Sequence, residues 1–239
     1  LAYLALGGAQ SHPREHLANL LWSDAAEKDA LASLRQALYC VARVCGREAL
    51  HTVGRSVALH RAAFVVDRDT FVALSQGPTP KQLLQAVELY RGELLAGNSI
   101  GEPLFEDWLR AERERCRERA IDVHARCACQ LQADGELDAA LQTWLRLLEI
   151  DPLLESGHRG LMQLYARQGR RAAALRQYQV CVTVLQRQLG AEPEHATRQL
   201  YHTLLSQLQH SGFYESEMPD PLAPQTAGVP TPISAAEAA

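Results

Sequence analysis

The sequence predicts a mostly α-helical fold in which a winged helix-turn-helix is followed by a tetratricopeptide-like stack of helices. Three observations lead to this prediction. Apolar residues recur at helical spacing along most of the chain, a hairpin pattern follows the third helical segment, and a 34-residue repeat occupies residues 128–178. With 239 residues, of which 47% are hydrophobic, the chain is long enough for two globular domains.

Three helical segments open the chain. Residues 1–6 are apolar and stop at a glycine pair, and a second helix starts at residues 11–12 with Pro13 in the first helical position. The buried face of this second helix holds Leu17, Leu20, Leu21 and Trp22. A third helix is predicted from about Glu27 to Cys45. Its apolar stripe consists of Leu31, Leu34, Leu38, Val41 and Cys45.

A β-hairpin is predicted after the third helix. Residues 49–53 and 56–60 form its strands, and glycine at the first position of the Gly54-Arg55 turn is typical of a type II′ hairpin. Three helices followed by a two-stranded ribbon is the element order of a winged helix. In that geometry the third helix enters the major groove of DNA and the ribbon touches the backbone beside it.

The polar face of the third helix supplies most of the candidate DNA contacts, because its side chains lie opposite the apolar stripe. Arginine and glutamine suit base edges, whereas Tyr39 and Arg43 suit phosphate or sugar. Arg55 at the hairpin tip and Arg14 at the start of the second helix suit phosphates. The complete set is Arg14, Lys28, Arg35, Gln36, Tyr39, Arg43 and Arg55.

The same polar face has a plain structural interpretation, because every surface helix exposes polar residues to solvent. Residues 1–60 carry six basic and five acidic side chains, a balance of only +1. Few phosphate contacts predict a modest and salt-sensitive affinity for DNA.

The central part of the chain is predicted to be helical with two breaks. Helix begins near residue 67, breaks at residues 77–80 and resumes from Leu83 to Leu95. Residues 96–103 form a loop, and a long charged helix follows from about Leu104 to Gln132. Its buried stripe is Phe105, Leu109, Cys116, Ala120, Val123, Cys127 and Leu131. On its wet side we expect the ion pairs Glu106–Arg110 and Arg110–Glu114.

The repeat gives the second half its architecture. Glycine, alanine, leucine and an aromatic residue recur after 34 residues, the period of tetratricopeptide helix pairs. The glycines suit the turn within a pair and the alanines suit close helix contact. The residues expected to define this packing are Gly135, Ala140, Trp144, Pro152, Gly169, Ala174 and Tyr178. Two ordinary helical hairpins with a chance period are the alternative. The second unit departs from the pattern because its last helix runs on to Leu189-Gly190.

A last helix is predicted to open at Pro193 and to cap the stack with Leu200, Leu204 and Leu208. From Ser211 onward the composition changes, because five of the eleven prolines lie there with four acidic residues and no lysine or arginine. This pattern predicts a disordered tail or linker.

Composition argues against several classes of protein. The net charge of −4 gives no general attraction to nucleic acid or to anionic membranes, and no apolar run is long enough for a membrane helix. The six cysteines form no CxxC pair, so we interpret them as small buried hydrophobic residues of a cytoplasmic protein. Neither a metal site nor a phosphate loop nor a cofactor motif is apparent, and we expect no enzymatic activity.

Several motifs occur in a characteristic order. They are LAYLAL at 1–6, HLANLLWSD at 16–24, SLRQAL at 33–38, YRGELLAG at 90–97, FEDWLRAERERCRER at 105–119, GLMQLYARQGRRAAALRQY at 160–178 and LGAEP at 189–193. In these motifs the chain resembles the bacterial transcriptional activation domain (BTAD) of regulators of the Streptomyces antibiotic regulatory protein (SARP) type. The resemblance extends from residue 1 to about residue 208.

The resemblance implies an OmpR/PhoB-type winged helix fused to a tetratricopeptide-like helical domain. Such proteins activate transcription by binding repeated promoter sites, often as a homodimer, and their helical domain contacts RNA polymerase or other transcription machinery. In this family β-strands precede the LAYLAL helix, so we expect the winged helix here to be truncated. The basic residues that often follow the LRQAL motif are reduced here to Arg43.

The predicted domains are a winged helix at 1–66, a helical repeat domain at 67–209 and a tail or linker at 210–239. The first interpretation is a DNA-binding transcription activator. The alternative is a protein-interaction module of a larger protein, in which the winged helix has only a structural role. The weak positive charge of residues 1–60 favours the alternative.

Overall fold

The computed structural model describes residues 1–8 and 10–216, with side chains as far as residue 207. Helices dominate the described part, which confirms the predicted mostly α fold. The helices are α1 (Ala2–Leu6), α2 (Arg14–Leu21), α3 (Glu27–Cys45), α4 (Asp67–Ser75), α5 (Pro80–Leu89), α6 (Pro103–Asp134), α7 (Leu137–Ile150), α8 (Glu155–Arg167), α9 (Arg171–Leu189) and α10 (His195–Ser216). The strands are β1 (His12–Pro13), β2 (Leu50–Val53) and β3 (Ser56–Leu59).

The first module packs three helices against a small antiparallel sheet of order β1-β3-β2. The predicted hairpin is present, with Val53 paired to Ser56 across the turn. Gly54 has φ +59° and Arg55 has a negative φ, which fits the type II′ turn. The buried core of the module consists of Leu4, Leu17, Ala18, Ala30, Leu34, Val57 and Leu59.

The start of the second helix is a correction to the sequence analysis. Residues 11–13 do not begin the helix, because His12 and Pro13 form β1 and pair with Val57 and Ser56. Pro13 is the extended residue that precedes α2, with ψ 140°. Backbone pairing with a strand more than forty residues later decides this extended conformation. No local sequence pattern indicates that pairing.

The third helix has the predicted bounds, but its apolar stripe is less buried than expected. Ala30 and Leu34 are its buried residues. Cys45 is exposed, because the last turn lies in solvent, where the neighbouring Val44 is 80% exposed. Cys40 and Cys129 are also exposed, so the interpretation of all six cysteines as buried is wrong. Cys116, Cys127 and Cys181 are buried.

Helices α4 and α5 pack against α6, and a loop separates α5 from α6. Thr79 caps α5 through a reciprocal capping box with Gln82. The helix ends at Leu89, whereas the sequence analysis had extended it to Leu95. Tyr90 already leaves helical geometry with ψ 99°, and Gly92 follows with φ +145°. Residues 90–102 therefore form one long loop.

The long helix α6 buries the predicted stripe from Phe105 to Cys127, with Leu131 half-buried. Its expected ion pairs are wrong. Arg110 pairs with Asp107 at 2.9 Å. Glu106 instead accepts hydrogen bonds from the hydroxyl of Ser99 and the backbone N–H of Ile100, because the preceding loop folds back over the start of the helix.

The repeat produces two helix pairs, α6–α7 and α8–α9. Gly135 and Gly169 lie in the turns within these pairs with φ +86° and +73°, where any side chain would be strained. Ala140 and Ala174 are fully buried. Trp144 of α7 packs against α8 at Gly160, where a methyl group would come within 2.5 Å of the indole ring.

The ends of the repeat units follow the sequence. Helix α7 stops at Ile150, just before Asp151 and Pro152, and α9 runs to Leu189 with Gly190 in the left-handed conformation. Helix α10 begins two residues after Pro193 and covers the stack. Its Tyr201 stacks on Tyr178 at 4.1 Å, and Leu204 packs against Met162 and Ala174. Helix α10 continues to Ser216, past the predicted start of the disordered tail at Ser211, and the rest of that predicted tail, residues 217–239, lies outside the described part, as does the side chain of Leu208.

Helix contact at Gly160 gives a first testable prediction. Gly160→Ala should lower the free energy of unfolding by about 1–3 kcal/mol, because the new methyl group must displace Trp144 in a packed core. Urea unfolding followed by far-UV circular dichroism measures the change. Ser156→Ala, an exposed change on the same helix, should stay within about 0.5 kcal/mol of the parent. Equal stability of the two variants would contradict the prediction, because it would show that α7 and α8 can move apart at Gly160 without loss of stability.

Buried histidines give a second prediction. His124 and His158 are 1% and 2% exposed, and burial lowers the pKa of both below the ordinary value. His158 receives a hydrogen bond from Gln177 on Nδ1 and donates from Nε2 to the carbonyl of Pro152, which only the neutral ring can do.

The unfolded chain binds protons at these histidines at higher pH than the folded chain does, so protonation favours unfolding. We therefore expect the urea midpoint to fall as the pH decreases from about 7.5 to about 5.5, across the unfolded pKa of about 6.5. His158→Gln should flatten this dependence and the exposed His195→Gln should not. A midpoint that stays constant over this range would contradict the prediction.

Candidate nucleic-acid interface

The outer face of α3 is the largest group of predicted DNA contacts. Arg35, Gln36, Tyr39 and Arg43 are exposed there, with Tyr39 61% exposed, and Lys28 is exposed in the first turn. Arg35 and Arg43 lie about 12 Å apart along the helix axis. Within the described residues neither has a hydrogen bond or an ion pair, whereas Gln36 only approaches Cys40, with its amide nitrogen 4.0 Å from Sγ. This face is free to contact another molecule.

The distribution of charge along α3 favours DNA binding more than the net charge of residues 1–60 does. Two of the five acidic residues, Glu27 and Asp29, lie in the first turn of α3, where they stabilise the positive end of the helix dipole. Beyond Ala30 the helix carries Arg35 and Arg43 and no carboxylate. The exposed face is therefore locally basic over its last four turns.

The hairpin tip forms a second, separate group. The side chain of Arg55 is 91% exposed and its guanidinium lies 3.9 Å from the carboxylate of Glu15. The backbone N–H of Arg14 donates to the carbonyl of Arg55 at 3.1 Å, which fixes the tip against the start of α2. No sequence pattern indicates the Glu15 contact, because the two residues are forty positions apart. An exposed pair of this kind contributes about 1 kcal/mol or less, so Arg55 remains available to a phosphate.

A buried cluster joins the winged helix to α6. Leu20 of α2 packs with Phe105 and Leu109, which are 8% and 0% exposed. The ring of Tyr3 lies 4.6 Å from that of Trp108, measured between centroids. These contacts hold α2, and with it α3, on the end of the long helix.

Further hydrogen bonds lie around this junction, donated by Ser23, by Arg61 and by Arg68 of α4. The backbone N–H and the hydroxyl of Ser23 both donate to Glu102, at 3.0 and 2.8 Å. Arg61 donates to the carbonyl of Ala5 at 2.6 Å, and Arg68 donates to the carbonyl of Leu6. The two arginines satisfy carbonyls that the short helix α1 leaves without helical partners.

The loop at 90–102 also contacts the winged helix. Arg113 of α6 donates to the carbonyls of Leu94 and Leu95, both at 2.9 Å, and Leu95 has φ +51°, which is rare for a leucine. Held in this way, Leu94 and Leu95 pack into the cluster that contains Leu20 and Leu109. Sequence reasoning missed Arg113, because neither its bond partners nor the backbone conformation of Leu95 leaves a periodic signal.

A cleft of about 850 Å³ lies in the helical domain. It lies between the 90–93 loop, α6 and α7, and four arginines and four glutamates line it. The described residues contain no group of His, Cys, Asp or Glu that could hold a metal ion. Over the same residues no helix combines the length and the hydropathy that a bilayer crossing requires.

Comparison with known proteins identifies the family. A family model described as bacterial transcriptional activator domain matches residues 72–205, more than half of the chain. This chain belongs to the bacterial transcriptional activator domain family. The match extends from the last four residues of α4 to the first half of α10, and it confirms the family that the sequence motifs indicated. No curated protein sequence matches the chain significantly.

A solved structure resembles this transcriptional activator domain protein over a longer part of the chain, which includes the winged helix. Mycobacterium tuberculosis EmbR, solved in complex with a low affinity phosphopeptide, matches with a TM-score of 0.63 and 18% sequence identity. The match covers 90% of this chain and 63% of the EmbR chain. At this level of identity the comparison shows a shared fold, and this chain spans less than two thirds of EmbR.

Arg113 gives a third prediction. Arg113→Ala should lower the free energy of unfolding by about 2–3 kcal/mol, because the variant cannot make the two charge-assisted hydrogen bonds to the 94–95 carbonyls. Arg110→Ala is the matched control, since its side chain is 76% exposed and its pair with Asp107 contributes about 1 kcal/mol at most. The two urea midpoints measure the difference, and equal values would exclude a stabilising role for the loop anchor.

Proposed function

We propose that this protein is a bacterial transcription activator that binds promoter DNA through its winged helix and contacts RNA polymerase or other transcription machinery through its helical domain. Membership of the activator family supports the regulatory role. The observation that carries DNA binding is the exposed outer face of α3, where Arg35 and Arg43 have no partner among the described residues, while Ala30 and Leu34 anchor the opposite side of the helix in the core.

The proposed contacts divide between the two groups of residues. Arg35 and Gln36 read base edges in the major groove, whereas Tyr39, Arg43 and Lys28 lie on the same exposed face for sugar and phosphate. Arg55 and Arg14 contact the backbone beside them. Because few phosphates are neutralised, affinity is modest and depends on ionic strength.

The junction on α6 gives the helical domain a physical connection to the DNA-binding face. Leu20, Phe105 and Leu109 share one buried cluster, so α2 is held directly against α6. A contact made by the helical stack is thereby carried to α3. We further propose that the protein works in the cytoplasm, and that a homodimer forms on repeated promoter sites.

A second candidate function is a protein-interaction module with a structural winged helix. The near-neutral balance of residues 1–60 and the contact of Arg55 with Glu15 favour it. The two functions differ in salt dependence, because a protein that neutralises several phosphates loses affinity steeply as salt increases.

DNA binding is tested with the chain and the DNA upstream of its own gene over a salt series. Arg35→Ala combined with Arg43→Ala should weaken binding at least about 30-fold, since each such contact contributes about 1–3 kcal/mol. The salt slope should decrease by about one for each phosphate that the variant no longer neutralises. Arg110→Ala removes an exposed arginine from α6 and should leave affinity unchanged.

Two results would overturn the DNA-binding proposal. One is equal affinity of the double variant and the parent. The other is equal binding of upstream and random duplexes with a shallow salt slope, which would favour the interaction module.

A further inference from the structure

Basic residues are concentrated in one stretch of the helical domain. Residues 156–191 contain six arginines and neither aspartate nor glutamate, in a chain whose net charge is −4. The stretch covers nearly all of α8 and α9 together with the turn that joins them. The helical domain therefore has one strongly basic part in a chain that is acidic as a whole.

Three of these arginines lie at or near the α8–α9 turn. Arg167, Arg170 and Arg176, here called the arginine cluster, are all exposed. A shallow cavity of about 440 Å³ opens at this turn, lined by Gly169, Arg170, Arg171, Ala172, Ala173 and Arg176. The small residues Gly169, Ala172 and Ala173 line this concave surface together with Arg170 and Arg176, whereas Arg167 lies outside the cavity lining.

The partners of the arginine cluster differ from those of Arg159 in the same stretch. Arg159 pairs with the carboxylates of Glu155 and Glu194. Arg167 donates only to the carbonyl of Gln132, and Arg170 only to the amide oxygen of Gln168 while it lies 4.8 Å from the ring of Tyr165. Arg176 has no partner among the described residues. No carboxylate in the described part neutralises these three charges.

The arginine cluster lies far from the DNA-binding face. Arg167 bonds to Gln132 near the end of α6, whereas Leu109 near its start packs against the winged helix. These two points are 23 residues apart, or about 35 Å along the helix. The cluster thus belongs to the end of the molecule that projects away from the winged helix.

We propose that the arginine cluster binds an acidic segment of a partner protein. Guanidinium groups form paired hydrogen bonds with carboxylates, and the concave surface accepts a side chain between them. A carboxylate-bearing segment fits this small cavity better than a DNA duplex does. A duplex needs an extended basic surface, because its phosphates are regularly spaced over a long distance. The inference rests on the protein-contact role proposed above for the helical domain, and it does not depend on DNA binding by α3.

The test uses the whole chain and a fluorescein-labelled peptide of ten residues with alternating glutamate and alanine. Arg170→Glu combined with Arg176→Glu should weaken binding of this peptide at least 10-fold, because attraction becomes repulsion. Arg187→Glu is the matched control, since Arg187 is exposed near the other end of α9 and does not line the cavity. It should leave affinity within about twofold.

Two further binding measurements distinguish an acidic partner from non-specific peptide binding and from nucleic acid. The same peptide with lysine in place of glutamate should not bind. A random DNA duplex should bind the double variant and the parent equally, and a loss confined to the duplex would replace the proposed partner with nucleic acid. Equal peptide binding by parent, double variant and Arg187→Glu would overturn the inference.

Failure of the DNA-binding proposal can be distinguished from failure of the peptide-binding inference, because the two proposals involve different arginines. Peptide binding should survive in the Arg35→Ala and Arg43→Ala double variant whether or not upstream DNA is bound. In transcription from the upstream promoter with purified bacterial RNA polymerase, the cluster variant should reduce transcript yield while DNA affinity stays unchanged. If the cluster variant changes neither the transcript yield nor the peptide affinity, the arginine cluster is not a contact surface.

Discussion

The contact between α2 and α6 is the constraint on which the rest of the structure depends. Leu20, Phe105 and Leu109 exclude water from a small cluster, and Tyr3 and Trp108 extend it. Apolar burial is the main stabilising contribution at such a junction. Since α6 has 32 residues, it spans about 48 Å and carries this contact at one end and the repeat turn at the other. A single rigid helix therefore sets the distance between the two proposed binding surfaces.

Arginine has two different roles in this molecule, and the partners distinguish them. Arg61, Arg68 and Arg113 are partly buried and donate to backbone carbonyls at the junction, so they hold loops and helix ends in place. Arg35 and Arg43 are exposed on α3 without a partner among the described residues. Water hydrates an exposed guanidinium, so these two side chains are available for a contact outside the chain.

Much of the fold could be predicted from the sequence because its signals are local. Helix α3 has its predicted bounds, the α6 stripe from Phe105 to Cys127 is buried, and the turns at Gly135 and Gly169 lie where the repeat places them. Apolar spacing and glycine conformation depend on neighbours within one or two turns. The exposed face of α3 follows from the same periodicity, so the candidate DNA contacts could be placed without tertiary information.

The sequence by itself determined the helix order, the repeat and the family. Tertiary structure decided what depends on residues distant along the chain: the pairing of His12 with Val57, the anchoring of Leu94 and Leu95 by Arg113, and the exposure of Cys45. It also placed Arg55 of the hairpin tip beside Glu15. The physical reason is that backbone pairing and side-chain burial require two surfaces to meet, and a periodic pattern records only one of them.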